Sequence, residues 1–294
     1  MNKELYDANT VSVLLTFGII FGVSILFFII IYILKKLYLK QKFIKSGFGL
    51  RHIGFKGELP MDQVASALKN QNPKYIVQSG EWRYAGFDTI EGLYSVVGIN
   101  SYDQAEYVNV AYRSTHTVPV KVVRKIPDPQ DIYKGFFGVT FEHEPNNIIN
   151  ILCPIYRLYH SGRIPANASA RLVFFPSLIR VFPNEKMLKE FSLFPKTAEQ
   201  KPIAGVAYGI YNLYDIYFNN DKQIKSFTYI CGKFLHHKKK KNNITGRSYH
   251  VVTIDTGFCE LEIPSLRRAY WRLPREGEFL CAMGQITGYF EKWV

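Results

Sequence analysis

The feature that most constrains the fold of this chain is an uncharged apolar run near its N-terminus. Residues 11–34 contain no charged side chain and read VSVLLTFGIIFGVSILFFIIIYIL. As a helix the run would extend about 36 Å, which is enough to cross a bilayer. It lacks the polar face of an amphipathic core helix and the small-residue cleavage site of a signal peptide. The sequence therefore predicts a single uncleaved transmembrane helix over residues 11–34.

Lysines flank only the C-terminal end of this run, and they predict its orientation. By the positive-inside rule that end faces the cytoplasm, and residues 1–10 face outward. The expected location is a bacterial inner (plasma) membrane, with most of the chain in the cytoplasm, and an organelle membrane is the alternative. The juxtamembrane lysines are Lys35, Lys36, Lys40, Lys42 and Lys45.

Two glycines inside the apolar run bear on oligomeric state. Gly18 and Gly22 have the GxxxG spacing that allows two membrane helices to pack closely. The spacing predicts a face for a homo-oligomer. The alternative is that these are ordinary glycines, which are common in membrane helices.

The remainder of the chain reads as β-rich. From residue 74 onward, short runs of β-branched and aromatic residues are broken by Gly, Asn, Asp and Pro, which is typical of strands joined by turns. Two amphipathic segments, 59–71 and 183–194, predict helices because each has a proline near its start. The predicted fold class is one N-terminal transmembrane helix, a mainly-β (α+β) cytoplasmic region and a small C-terminal OB or SH3-like β-barrel. The predicted segments are an external tail (1–10), the transmembrane helix (11–34), a basic juxtamembrane linker (35–58), a β-rich α+β domain (59–194), a linker with a Tyr-rich segment (195–222) and the barrel (223–294).

Basic residues are concentrated in one stretch of the predicted barrel. The whole chain has a formal net charge of +13, and such a charge attracts nucleic acid, anionic lipid or acidic proteins. We expect residues 236–247, HHKKKKNNITGR, to form the loop between the first two barrel strands. This loop is a solvated hairpin tip, a contact for anionic lipid or acidic protein, or a contact for nucleic-acid phosphates. The candidate anion-binding residues are Lys238, Lys239, Lys240, Lys241 and Arg247.

A second candidate surface combines arginine with aromatic residues. Such a combination suits base stacking and phosphate contact in nucleic-acid binding, and Trp, Tyr and Arg are also favoured at protein interfaces. The residues of this candidate partner surface are Arg267, Arg268, Tyr270, Trp271 and Arg272.

One short motif resembles a catalytic signature. Asp255-Thr256-Gly257 resembles the Asp-Thr-Gly of aspartic proteases, in which two such carboxylates share a proton and activate water. The resemblance covers three residues, the position after Gly257 is the bulky Phe258, and the sequence has no second copy. A strand followed by a turn explains the same letters without chemistry. A hydrolase using Asp255 is therefore only a second alternative.

No other stretch predicts catalysis, a cofactor or a metal. Cys153, Cys231, Cys259 and Cys281 lack the paired spacing of zinc sites, and we expect them to be thiols packed in the core. The three residues of Glu142-His143-Glu144 point to alternating faces of a strand and do not converge. Phosphate-loop, dinucleotide, HExxH and GxSxG motifs are absent from the sequence.

These observations predict a non-enzymatic function. The first hypothesis is a membrane-anchored scaffold or structural subunit of a membrane-bound or envelope-spanning assembly, whose β-domains bind other protein subunits. The alternative is a membrane-tethered module that binds nucleic acid or anionic lipid through the C-terminal barrel.

Overall fold

The structure, a computed structural model, describes the parts of the chain that build a β-rich body within the compact unit Lys45–Val294. The described residues are 50–55, 66, 68, 71–73, 75–79, 82–88, 93–99, 105–128, 134–142, 144–159, 167–190, 209–212, 227–270 and 272–291.

The described residues contain no helix that is long and apolar enough to cross a membrane. The helix predicted over 11–34, with Gly18 and Gly22, lies outside the described residues. The same is true of the juxtamembrane lysines Lys35, Lys36, Lys40, Lys42 and Lys45. The predicted fold class, a transmembrane helix followed by an α+β region with a C-terminal barrel, is corrected: the described residues form a mainly-β fold.

Thirteen strands are described, together with one short α-helix, α1 (Glu185–Glu190), and three 3-10 turns (Leu50–Ile53, Tyr156–Tyr159 and Arg267–Ala269). The strands are β1 (Tyr75–Ser79), β2 (Trp82–Asp88), β3 (Leu93–Ile99), β4 (Ala105–Tyr112), β5 (Val118–Pro127), β6 (Gly135–Phe141), β7 (Glu144–Cys153), β8 (Asn167–Phe182), β9 (Gly209–Asn212), β10 (Phe227–Lys241), β11 (Ser248–Asp255), β12 (Glu260–Ser265) and β13 (Phe279–Phe290).

The strands form two sheets. In the smaller sheet, β1 to β4 pair in sequence order as an antiparallel meander. The larger sheet has nine strands in the order β11-β12-β8-β5-β6-β7-β13-β10-β9. Additional pairings of β10 with β11 and of β8 with β13 close this sheet on itself twice. The result is two closed rings of five strands.

The two rings share one long antiparallel ribbon made of β8 and β13. Ring A contains β8, β13, β10, β11 and β12, and ring B contains β8, β5, β6, β7 and β13. The paired residues of the ribbon run from Phe279↔Phe182 to Phe290↔Ala170. Strand β10 borders the first part of β13, whereas β7 meets it near its end, at Thr287. The ribbon therefore passes from one ring into the other.

Period-two alternation along β8 assigns its side chains to two hydrophobic cores. Leu172 and Phe174 belong to the core that runs through both rings, whereas Val173 and Phe175 face a second core. This second core also contains Leu93 of the four-stranded sheet and Tyr249 of β11. The meander thus packs on the outer face of the ring strands, as two-faced burial of a central strand requires.

The prediction of a self-contained barrel over residues 223–294 is wrong. Strands β10 to β13 do fall in that segment, but their ring closes only through β8. Strand β8 pairs in parallel with β12 at Val173 and antiparallel with β13. The pattern of alternating residues located these strands, but it could not reveal a neighbour that is distant in sequence.

Several local predictions are confirmed. The helix expected within 183–194 begins at Glu185, and the β-rich runs between residues 74 and 126 form β1 to β5. Pro176 lies within the continuous β8, where the pairing with β13 shifts register between Met283 and Gly284. The domain division at 195–222 stays a prediction, since Gly209–Asn212 alone of that linker is described, and it forms β9.

Candidate anion-binding surface

The four lysines of the basic run are strand residues, which corrects their predicted place in a loop. Strand β10 continues to Lys241, and the register pairs Lys238 with Val251 and Lys241 with Ser248 of β11. Lysine is neither a turn former nor a strand breaker, so pairing with β11 decides its conformation. The β10–β11 ribbon is the name used below for residues 234–241 together with 248–254.

The turn of this ribbon begins one residue after the lysines, at Asn242. The Asn242 side-chain oxygen accepts hydrogen bonds from the backbone N–H groups of Ile244 and Thr245, at 2.9 and 3.0 Å. The Asn242 N–H donates to the Arg247 carbonyl oxygen at 2.8 Å. Asparagine commonly closes turns in this way, and Gly246 adopts the positive φ of 71° that the turn requires.

The turn is fastened to the 3-10 segment Leu50–Ile53 and the residue after it. Asn242 is buried, and its Nδ2 donates to the Ile53 carbonyl oxygen at 2.6 Å. The Thr245 hydroxyl donates to the Gly54 carbonyl oxygen at 3.1 Å. A ribbon held at its tip loses little conformational freedom when a partner binds.

Alternation along β10 separates its basic side chains onto two faces. On the face toward the second core, Lys240 pairs with buried Tyr249 in the register, and its Nζ donates to the Tyr112 hydroxyl at 2.7 Å. The same ammonium lies 4.8 Å from the centroid of the Tyr112 ring, a cation–π geometry. Lys240 therefore has a structural role that the sequence did not indicate.

The opposite face of the ribbon carries two histidines and Lys239, and Arg267 lies near His250. The rings of His237 and His250 stack with centroids 5.9 Å apart. Burial lowers the pKa of His250, and the adjacent His237, Arg267 and Lys239 lower it further. The basic cluster is the name used below for His237, Lys239, His250 and Arg267. It brings together Lys239 from the first predicted set and Arg267 from the second.

The rest of the predicted aromatic–arginine surface does not form one patch. Arg268 is exposed beside Arg267. Tyr270 is buried, and its hydroxyl donates to the Ile263 carbonyl oxygen at 3.1 Å, so it belongs to the core. Arg272 donates to the Glu278 carboxylate at 2.5 and 2.7 Å, and this bond holds the pKa of Glu278 below its usual value. Trp271 lies outside the described residues.

The remaining residues of the first predicted set stay at the surface. Lys238, Lys239 and Lys241 are exposed along β10, and Arg247 is exposed at the end of the turn. The two histidines of the basic cluster were missed as site residues. His237 is part of the basic run, and His250 is thirteen positions away from it in sequence. The signal that joins them is the cross-strand register, in which His250 is opposite Lys239.

The Asp-Thr-Gly motif forms the turn between β11 and β12. The Asp255 carboxylate accepts a hydrogen bond from the Gly257 N–H at 2.8 Å, and Gly257 has a φ of 79°. The Thr256 hydroxyl donates to the Cys259 carbonyl oxygen at 2.8 Å. These contacts account for each of the three residues as a turn former.

The four cysteines are free thiols. Cys153, Cys231 and Cys281 are fully buried, which confirms the predicted core packing for these three, whereas Cys259 is only partly buried at the edge of the core.

Comparison with known proteins identifies no relative: no protein-family model matches the chain, and no curated protein or solved structure is significantly similar to it.

Proposed function

We propose that this chain is a non-enzymatic binding protein, and that the face of the β10–β11 ribbon carrying His237, Lys239 and His250 binds the phosphates of a nucleic acid. The observation that carries the proposal is the basic cluster. His237, Lys239 and His250 lie on one face of two paired strands, and Arg267 approaches from the turn after β12. Membrane attachment forms no part of the proposed function.

The charge of this face is available to a partner. Among the residues that the structure describes, no carboxylate forms a salt bridge with Lys239, Arg267 or Arg268. Arg267 does use one N–H to bond the Tyr270 carbonyl oxygen, at 3.1 Å, which orients its guanidinium. Cations without a neutralising carboxylate are what phosphate contacts require.

The flanking strands leave the basic end of the ribbon accessible to a nucleic acid. Strand β13 borders β10 only as far as Lys233, and β12 begins to border β11 at His250. The basic end of the ribbon therefore extends beyond the strands that flank it. Its exposed face can lie against the phosphates of a duplex while the tip stays anchored to Ile53 and Gly54.

The decisive experiment measures nucleic-acid binding by the full-length chain and by a variant without two of the cations. Fluorescence anisotropy with a labelled random-sequence DNA duplex and a matched RNA would be recorded over a range of salt concentrations. We expect Lys239→Gln with Arg267→Gln to weaken binding by at least about tenfold. The slope of log affinity against log salt should fall by about two, since each phosphate contact contributes about 0.9.

The matched control is Lys186→Gln, because Lys186 is an exposed lysine on α1. Its binding curve should equal that of the unmodified chain. Equal loss of affinity in Lys186→Gln and in the double variant would mean that net charge alone attracts the nucleic acid. If the unmodified chain did not bind nucleic acid at low salt, the proposal would be wrong.

The scaffold hypothesis is kept as a second candidate because β10 has a strand edge. After Phe234, the described residues of β10 as far as Lys239 pair only with β11, and Leu235 is 38% exposed. An extended segment of another protein can add to such an edge. Purification of the full-length chain from its source, followed by mass spectrometry, tests this: protein partners in fixed ratio that survive nuclease and high salt would favour the scaffold over nucleic acid.

A further inference from the structure

Two buried cysteines lie side by side in the wall of ring A. Cys231 of β10 and Cys281 of β13 are directly opposite each other in the antiparallel register. Their Sγ atoms are 2.6 Å apart, and both side chains are fully buried. All four cysteines are described, and the other two lack a cysteine neighbour: Cys153 is opposite Gly135, and Cys259 contacts Thr256.

The geometry suits a covalent bond between the two sulfur atoms. Opposite residues of an antiparallel pair have Cα atoms about 4.5–5.5 Å apart, which falls within the range of about 4.4–6.8 Å found for disulfides. A bonded pair of sulfurs is about 2.05 Å apart. Bond formation therefore needs a movement of about half an ångström and no change of register.

We propose that Cys231 and Cys281 form a redox modification site, at which a peroxide oxidises the two thiols to a cross-strand disulfide. In the first step the Cys281 sulfur attacks one peroxide oxygen, which breaks the O–O bond, forms a sulfenic acid and releases water. In the second step the Cys231 sulfur attacks the Cys281 sulfur and displaces the hydroxyl group, which leaves as a second water with the Cys231 proton. Overall, two thiols are oxidised and one hydrogen peroxide is reduced to two waters.

Tyr229 is the residue that assists this chemistry. It precedes Cys231 by two positions on the same face of β10, and it interacts with both thiols. Burial raises the pKa of Cys281 well above its usual value, whereas the bond from Tyr229 acts in the opposite direction. The thiolate is the reactive form, so we expect slow oxidation that depends on the Tyr229 hydroxyl.

A disulfide at this position would join the two strands that close ring A. The two cysteines are 50 positions apart in sequence, and a cross-link over such a loop restricts the unfolded chain. We expect the melting temperature of the oxidised chain to rise by about 5–10 °C. The site belongs to a core with Phe182, Leu188 and Phe279, which is separate from the basic cluster, so it does not rest on nucleic-acid binding.

The experiment treats the native full-length chain with hydrogen peroxide, then blocks free thiols and measures intact mass and cross-linked peptides. We expect a loss of two hydrogen atoms, a peptide pair joined through Cys231 and Cys281, and the rise in melting temperature. Cys153→Ser should behave as the unmodified chain does, and Cys281→Ser should give no cross-link. Tyr229→Phe should form the same cross-link at least about threefold more slowly, since it loses only the hydroxyl.

Two results would overturn the proposal. One is a native chain that stays fully reduced under conditions that oxidise the urea-unfolded chain. The other is oxidation that adds oxygen to Cys231 or Cys281 without joining them, or that joins a different pair.

Discussion

At the residue scale, Asn242 shows how much of a surface can depend on one amide. Its side chain serves as acceptor for two N–H groups of its own turn and as donor to the Ile53 carbonyl oxygen. It is fully buried, so each lost bond would leave a polar group without a partner or water. The neighbouring Asn243 is exposed and offers a matched comparison.

We therefore expect Asn242→Ala to lower the free energy of unfolding by about 2–4 kcal/mol. Asn243→Ala should change it by less than about 0.5 kcal/mol. Urea unfolding followed by circular dichroism measures both. Equal effects of the two substitutions would mean that the turn is not anchored through Asn242.

A second residue-scale prediction concerns pH. His52 is buried against Phe175, with its Nδ1 3.1 Å from the Ser265 hydroxyl oxygen, and burial lowers its pKa from 6.5 to about 4. Between about pH 6.5 and pH 4, His52 is protonated in the unfolded chain and neutral in the folded chain. Stability from this group is therefore present above pH 6.5 and is lost progressively as the pH falls toward 4.

The expected cost at pH 5, relative to pH 7, is about 2 kcal/mol of unfolding free energy from His52 alone. Urea titrations at the two pH values measure it. His52→Gln should remove that part of the difference while keeping a polar side chain beside Ser265. If the variant retained the full pH dependence, another group would be responsible.

At the element scale, the β8–β13 ribbon has a point of very close approach. A Cβ placed on Gly284 would lie 2.1 Å from the Phe175 carbonyl oxygen and 2.8 Å from the Pro176 Cα. Both are backbone atoms of the facing strand, so they cannot move aside as a flexible side chain would. The register shift beside Gly284 accommodates Pro176, which has no N–H to donate.

Gly284→Ala should accordingly lower the free energy of unfolding by about 3 kcal/mol or more. Gly277→Ala is a useful comparison, because a Cβ there meets nothing within 4 Å and only its φ of 81° opposes the substitution. We expect that change to cost about 1 kcal/mol. Thermal and urea unfolding of both variants provide the test, and a tolerated Gly284→Ala would contradict the close approach.

The elements also explain which features could be read from the sequence. Alternation identified the strands because one-sided burial forces period two, as in β8, where Phe174 and Phe175 belong to different cores. The basic run was misplaced as a loop because nothing local marks Lys238 to Lys241 as a strand. Their conformation comes from pairing with β11. The basic cluster was likewise hidden, since its members meet only through the register and the turn after β12.

At the scale of the whole molecule, sequence patterns could not predict that the strands close into rings. It depends on the parallel contacts of β12 with β8 and of β13 with β7, which join residues far apart in the chain. Such contacts leave no periodic trace in a single sequence. A pattern of several short strands near the C-terminus therefore suggested an independent unit that the topology does not contain.

This topology predicts the behaviour of a fragment. Residues 223–294 expressed alone lack β8, so the ring would stay open and expose residues such as Leu261, Ile263 and Leu280, which are fully buried in the chain. We expect this fragment to show no cooperative thermal transition by circular dichroism, whereas the full-length chain shows one. A cooperative transition of the fragment would show that residues 223–294 fold without β8, as the sequence had predicted.

The shared ribbon has a consequence for how this protein can change over time. Because β8 and β13 form part of the wall of both rings, a substitution in either strand affects the packing of both ring interiors. For the same reason, neither ring can be duplicated or exchanged as a separate domain. The turn after Lys241 is constrained mainly by its attachment through Asn242 and Thr245. Variation in charge should therefore accumulate at exposed positions of the β10–β11 ribbon such as Lys239, where the partner would bind, while Asn242 and the ribbon shared by the rings stay nearly invariant.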